Sequence, residues 1–285
     1  MNLLNFDDQW IARWAEFSGD RNPIHFDPKA AAKVGASDVV VHGMLPAVLC
    51  QERAYSSYIQ ETVDAQAELA ERWLLSKVRF KHPVLRRVSL ELALRREERA
   101  VHFSLSSENT DSKHLLGSVS DHVGPINHGR SVIANSDLAL PVMESFVLES
   151  LEVQSNTTKL RALFPTIESN WNVLQCILFM RFVDQIKRSG NILTTKHRDE
   201  LLVVQTSSSV AFNARQTEQC GDALKTAYHC MAFPGSIFLT TAGYLCEYGW
   251  DLKRSGETIM SMQVGLLIKD KNFLEPNFSQ HRSRI

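Results

Sequence analysis

This chain of 285 residues lacks several common sequence signals. Its 31 basic and 32 acidic residues are interspersed and leave a formal net charge of −1. A nucleic-acid-binding surface needs clustered lysine and arginine, so we predict no nucleic-acid partner. None of the five cysteines forms a C-x-x-C pair, and their odd number argues against a disulfide or zinc framework. We therefore predict no metal and a reducing, cytoplasmic location.

Long apolar runs are also scarce. The longest, residues 173–186, is interrupted by Gln175, Arg181, Asp184 and Gln185. It is too short and too polar to span a bilayer, so we expect a buried helix and no membrane insertion. The opening MNLLNFDDQW carries acidic residues where a secretory signal would carry basic ones, which agrees with a cytoplasmic protein.

Periodicity in the first half predicts helices followed by an antiparallel sheet. Apolar residues recur at helical spacing over residues 7–17 and again from Gly43 or Met44 to about residue 60. The period then changes to two, which is typical of half-buried strands. These strands are predicted at residues 73–80, 87–95, 100–106 and 113–119. Residues 120–145 contain glycine and proline without a sustained period, which indicates a connection between domains.

The second half repeats this order of elements. Residues 169–190 predict a helix that is apolar nearly all round and must therefore be covered on most sides, as when a sheet wraps around it. Strands are predicted at Leu201–Asn213, Ser236–Tyr248 and Thr258–Lys269. We therefore divide the chain into domains at residues 1–122 and 146–285, joined by a linker at 123–145.

The segment SGDRNPIH, residues 18–25, contains a candidate acid–base pair. Asp20 and His25 converge if the chain turns at Asn22-Pro23, and proline favours such a turn. Together they could hold one water or hydroxyl group, because imidazole exchanges protons near neutral pH and a carboxylate orients the same oxygen. Gly43 adds a bare backbone N–H at a helix start, suited to a developing oxyanion. Taken alone, G-D-x-N-P is also a common turn composition, with Asp20 as a simple cap.

Three stretches in order resemble the MaoC-like hydratases and dehydratases, which include the (R)-specific enoyl-CoA hydratases. They are SGDRNPIH (residues 18–25), VHGML (41–45) and FKHPV (80–84). The resemblance covers about residues 6–120 and implies a hot dog fold, in which a curved antiparallel sheet wraps a long helix. We expect an α+β double hot dog, with an active first half and a degenerate second half that lacks the motif. An unrelated α+β extension is the alternative for the second half.

The resemblance also implies a lyase of fatty acid metabolism. Asp20 and His25 would activate the water that adds to C3 of a trans-2-enoyl thioester, or expel it in reverse, with Asn22 supporting the pair and the Gly43 N–H holding the thioester oxygen. The expected substrate-binding residues are Met44, Leu45, Gln51 and Phe80. The substrate would be an acyl-CoA or an acyl carrier protein thioester, and no cofactor or metal is expected. The two halves would pair within the chain, with a further homo-oligomer such as a dimer left open.

Two features depart from the family pattern. Arg86-Arg87 stands where many members have Gly-Asp, and Gln51 stands where some have a small hydroxyl residue. The arginines could meet a phosphate of the substrate, although a solvated turn is the simpler interpretation. Two other functions therefore stay open, a hot dog acyl-thioesterase and a non-catalytic acyl-thioester-binding or pairing subunit. A Gln51 side chain blocking the tunnel would favour the pairing subunit.

Overall fold

A computed structural model describes residues 3–61, 72–108, 112–128, 143–189, 201–218, 227–240 and 243–270. The first-half elements are β1 (Leu3–Leu4), α1 (Asp8–Ser18), α2 (Pro28–Ala32), α3 (Met44–Glu61), β2 (Trp73–Phe80), β3 (Leu90–Glu97), β4 (Ala100–Ser107) and β5 (Lys113–His122). The second-half elements are β6 (Phe146–Leu148), α4 (Ser150–Leu163), α5 (Asn170–Ser189), β7 (Leu201–Asn213), α6 (Ala214–Glu218), β8 (Tyr228–Thr240), β9 (Gly243–Arg254) and β10 (Glu257–Asp270). Among the residues that the structure describes, no helix is long and apolar enough to cross a membrane.

Local chemistry fixes the helix that precedes the site. The Asp7 carboxylate caps α1 by accepting from the N–H groups of Gln9 and Trp10, at 2.9 and 3.0 Å. Gly19 ends the helix with a φ of 69°, a left-handed conformation that glycine adopts without steric cost. The chain therefore leaves α1 at a defined angle directly before the candidate acid–base segment.

All ten strands form one antiparallel sheet in the order β1-β3-β4-β5-β2-β7-β10-β9-β8-β6. Each half contributes a long helix and five strands: a short strand at the sheet edge, β1 or β6, and four longer strands. Outward from the centre these longer strands follow the order β2-β5-β4-β3 in the first half and the equivalent order β7-β10-β9-β8 in the second. These central strands, β2 and β7, pair antiparallel from Trp73 opposite Asn213 to Arg79 opposite Ser207. The sheet is thus continuous across the two halves, and this is the double hot dog fold that the sequence predicted.

The two long helices, α3 and α5, pack together inside the sheet. Both are largely buried, and their apolar side chains belong to one continuous core. A polar contact lies within this interface, where the amides of Gln51 and Gln175 exchange hydrogen bonds of 3.3 and 2.8 Å. The Gln51 amide also donates to the Ser76 hydroxyl at 2.9 Å, which ties the helix pair to β2.

One strand prediction in the second half is wrong. The expected strand Ser236–Tyr248 is divided between β8, which ends at Thr240, and β9, which begins at Gly243. Pro234 and Gly235 resemble a turn in the sequence, but they lie inside β8 where its register against β9 shifts between Phe233 and Ser236. Proline is tolerated within strands at such irregular positions. Helix α4 was not predicted, and residues 129–142 of the expected linker lie outside the described residues.

Candidate active site

The segment between α1 and α2 folds into the turn that brings the candidate acid and base together. A turn of 3-10 helix spans Pro23–His25, and the Asn22 side chain caps it by accepting from the Ile24 N–H at 3.3 Å. The Asn22 N–H in turn donates to Asp20 Oδ1 at 3.2 Å. Asn22 therefore orients Asp20 through its backbone, while its side chain fixes the turn that carries His25.

His25 is buried, and its ring is held in one orientation. Its Nδ1 donates to the carbonyl oxygen of Val40 at 2.7 Å, because that oxygen can only accept. This leaves Nε2 as the basic nitrogen, 3.8 Å from Asp20 Oδ2. Burial lowers the pKa of His25 below its ordinary value, a change that the Asp20 charge and the Val40 carbonyl oppose. The ring is thus a neutral base at pH 7.

His42 contacts both members of the acid–base pair. Its ring stacks on that of His25 with centroids 3.8 Å apart, and its Nε2 donates to the Asp20 carbonyl oxygen at 3.0 Å. Ligand-type atoms of Asp20, His25 and His42 lie within 4.8 Å of one another. The two rings are only 26° from parallel, so their nitrogen lone pairs run side by side instead of converging as tetrahedral metal coordination requires. We interpret His42 as a positioning residue.

Gly43 lies directly before α3, beside the ring of Phe80. A Cβ atom at Gly43 would sit 3.2 Å from Phe80 Cε1, closer than most side-chain contacts, so glycine leaves room for the ring. The N–H groups at a helix start have no carbonyl partner within the helix and carry its positive dipole end. The start of α3 therefore brings donor groups to the position that the sequence predicted for an oxyanion.

A cavity of about 710 Å³ joins these groups, and both halves of the chain line it. The first half contributes Asp20, Asn22, His25, Gly43 and Phe80 among others. The second half contributes part of α5, β7 and β10. These residues are Phe179, Phe182, Val183, Val204, Gln205, Thr206, Leu266 and Leu267. Because the wall is mostly apolar and includes the Asp20–His25 pair, the cavity suits a ligand with a reactive polar group and an apolar tail.

The expected substrate-binding residues separate into two pairs. Met44 and Phe80 line the cavity, and their role in substrate binding stays a prediction. Leu45 is fully buried in the core, and Gln51 is fully buried against Gln175 between the long helices. Neither belongs to the described residues that line the cavity, so their assignment to substrate binding is corrected. The reason for Gln51 is its partner on α5, which lies 124 residues away in sequence.

Two basic features differ in their surroundings. Arg86 pairs with Asp8 and Asp38 at 2.7 and 2.9 Å, and Arg87 also pairs with Asp8. These arginines therefore have internal partners instead of facing the cavity. Arg21, Lys81 and His82 do line the cavity, and sequence reasoning did not single out any of the three.

Gln205 on β7 is a further polar residue of the cavity that the sequence analysis missed. Its Nε2 donates to the Met44 sulfur at 3.2 Å, and its Oε1 lies 3.8 Å from where a Cβ of Gly43 would be. Nothing in the strand pattern distinguishes Gln205 from its polar neighbours, because its placement depends on the pairing of β7 with β10.

Comparison with known proteins identifies the first half. Residues 4–116 match the family model described as a MaoC like domain. The mitochondrial 3-hydroxyacyl-[acyl-carrier-protein] dehydratase of Arabidopsis thaliana is 50% identical over 40 residues, which make up 14% of this chain and 24% of that protein. A conserved hypothetical protein from Mycobacterium tuberculosis with a double hotdog fold aligns over 94% of both chains, with 10% identity and a TM-score of 0.54. This chain therefore has the double hot dog fold, and its residues 4–116 are similar to a MaoC like domain.

Proposed function

We propose that this protein is a hydro-lyase that adds water to a trans-2-enoyl thioester to give the (R)-3-hydroxyacyl thioester, or catalyses the reverse dehydration. One observation carries the proposal. The basic Nε2 of His25 faces the Asp20 carboxylate at 3.8 Å, in the wall of a largely apolar cavity. The matched MaoC-like domain and the dehydratase relative from Arabidopsis thaliana support the same reaction class.

The separation of the pair suits a shared water. A distance of 3.8 Å is too long for a direct hydrogen bond between Asp20 and His25, but one water or substrate hydroxyl can contact both groups. As the oxygen attacks C3, His25 Nε2 accepts its proton while Asp20 orients the second hydrogen. The electron pair of the C2–C3 double bond moves toward the thioester carbonyl. His25 then returns the proton to C2, so that the elements of water have been added and the enzyme is unchanged.

The negative charge that develops on the thioester oxygen needs donors that are already in place. The N–H of Gly43, at the positive end of α3, is our assignment for this role. Proton transfers and charge stabilisation account for every step, so the proposal requires no redox cofactor or metal. Arg21 and Lys81 line the cavity and suit the anionic handle of a CoA or acyl carrier protein thioester.

The test is to follow loss of the conjugated enoyl thioester absorbance with crotonyl-CoA and with longer enoyl-CoAs. Wild type should consume the chromophore, and both Asp20→Asn and His25→Ala should lose a hundredfold or more in kcat, the order expected for acid–base groups, roughly 10²–10⁴. His229→Ala, at an exposed site on β8, is the matched control and should match wild type. Full activity in both site variants would contradict the proposal.

The same assay separates the other two functions. Release of free thiol with the enoyl group intact would indicate a thioesterase, in which Asp20 directs water to the carbonyl carbon. Thioester binding without turnover would indicate a non-catalytic pairing subunit. Gln51 lies between the long helices and so does not supply the obstruction that would have favoured that subunit.

A further inference from the structure

We propose that Gln205 is a second hydrogen-bond donor to the thioester carbonyl oxygen, supplied to the active site of the first half by the second half. The inference rests on the proposed function and extends it. It gives the half that lacks the D-x-N-P-x-H motif a direct role in catalysis beyond that of a wall.

A β-bulge aims Gln205 into the cavity. Along β10, residues 260, 262, 264, 266 and 268 are buried on the core side of the sheet. Their partners on β7 include Ser208, opposite Val264, and Gln205, opposite Leu266, because the register shifts between Gly265 and Leu266. Opposed residues point to the same face of a sheet. The extra residue in β7 therefore moves the core-facing set from even to odd numbers and places Gln205 on the cavity side.

The end of β2 brings Gln205 next to the helix start. The last pair between β2 and β7 is Arg79 opposite Ser207, so β7 continues past this pairing, while Phe80 ends β2 opposite Leu115 of β5. The Phe80 ring lies 3.2 Å, and Gln205 Oε1 3.8 Å, from the position that a Cβ of Gly43 would occupy. The side-chain amide of Gln205 therefore lies beside Gly43, and rotation about its terminal bond would turn Nε2 toward an oxygen held by the Gly43 N–H.

The Gln205 amide donates to a weak acceptor. Its Nε2 donates to the sulfur of Met44 at 3.2 Å, and a thioether is a weak acceptor. A carbonyl oxygen is a better acceptor, and an enolate oxygen is better still. When the Gln205 amide changes its acceptor from the Met44 sulfur to the thioester oxygen, the substrate is therefore stabilised a little and the transition state more. Stronger stabilisation of the transition state than of the bound substrate is the condition for an increase in kcat.

The first test is kinetic. Gln205→Met keeps the length and apolar volume of the side chain but removes both N–H donors. Removing the main donor of an oxyanion site lowers kcat on the order of 10²–10³-fold. Because the Gly43 N–H stays in place, we expect Gln205→Met to lower kcat about tenfold to a hundredfold and to change KM less than about threefold. The matched control is Gln263→Met on β10, a glutamine bonded to Glu247 away from the cavity, which should retain wild-type kcat.

The second test identifies the bonded atom. Affinities for butyryl-CoA and for the thioether S-butyl-CoA, which lacks the carbonyl oxygen, are measured by titration calorimetry on wild type and on Gln205→Met. If Gln205 donates to that oxygen, the substitution weakens butyryl-CoA about two- to threefold, as expected for one neutral hydrogen bond, and leaves S-butyl-CoA unchanged. Equal weakening of both ligands would show a packing role and overturn the inference.

The failures are distinguishable. Wild type without hydratase activity would overturn the proposed function, and the present inference would fall with it. Active wild type with Gln205→Met equally fast would overturn only the role of Gln205. Because the calorimetric comparison needs no turnover, a folded but inactive variant still gives a decisive answer.

Discussion

Glu52 on α3 is the residue whose replacement should most directly uncouple the two halves. Its carboxylate is 5% exposed and lies at the start of α5. It accepts from the N–H groups of Glu168 and Ser169 at 3.2 and 3.0 Å, from the Ser169 hydroxyl at 2.6 Å and from the Asn172 amide at 2.9 Å. A side chain of the first half therefore caps the central helix of the second half, where negative charge is stabilised by the helix dipole.

Removing this cap should be costly because its partners stay buried. Glu52→Ala leaves two backbone donors, one hydroxyl and one amide without their acceptor, and breaking such a buried charged contact costs roughly 3–5 kcal/mol in the free energy of unfolding. At 2–4 °C per kcal/mol for a chain of this size, Tm should fall by about 10 °C. Glu52→Gln keeps one acceptor oxygen for the backbone N–H groups but turns an amide donor toward the Asn172 amide. We therefore expect it to lower the free energy of unfolding by about half as much as Glu52→Ala.

Thermal and urea unfolding followed by circular dichroism measure these differences. Arg53→Ala is the control, since Arg53 is the exposed neighbour on α3 and its replacement should shift stability by less than about 0.5 kcal/mol. A loss of under 1 kcal/mol for Glu52→Ala would refute the argument that this carboxylate is a structural cap. Because α5 carries Phe179 and Phe182 of the cavity wall, Glu52→Gln should also raise KM by a larger factor than it lowers kcat.

Two further predictions concern the site itself. Burial lowers the pKa of His25 below the ordinary histidine value of 6.5. In a pH–rate profile, kcat/KM should therefore be flat from pH 7 to 8 and fall on the acid side, with a midpoint below 6.5, as His25 becomes protonated. A midpoint at or above 6.5 would contradict this prediction. Gly43→Ala places a Cβ 3.2 Å from Phe80 and should lower kcat/KM about tenfold, since removing an oxyanion donor entirely costs on the order of 10²–10³. Gly124→Ala, where an added Cβ meets nothing within 4 Å, should match wild type, and equal rates in the two variants would remove Gly43 from the site.

The acid–base segment could be predicted from sequence because its geometry is local. Asp20, Asn22 and His25 are brought together by a turn within six residues, and proline and asparagine specify that turn. The long helices and most strands were predictable for a similar reason, since burial on one face or on all faces imposes a periodicity on the residues. The contacts of Val40 and His42 with this segment, 15 and 22 residues away, could not be predicted from the turn alone.

The errors arise where the outcome depends on pairing between distant segments. Gln51 was assigned to the substrate site, yet its amide is bonded to Gln175 across the helix interface. Gln205 was missed because strand alternation alone assigns it to the opposite face from Ser208, and a bulge set by pairing with β10 reverses that assignment. The strand boundary near Pro234 failed for the same reason, because the irregular register of β8 against β9 is not encoded in local composition.

The position of the cavity explains why a half without the acid–base motif remains necessary. The cavity lies along the seam between the halves, where β2 pairs with β7 and where α3 packs on α5. A first half alone would expose the apolar side chains of that seam to water and lose the wall formed by Phe182 and Leu266. Substitutions in the second half that spare the seam should therefore change stability without changing the ratio of kcat to KM.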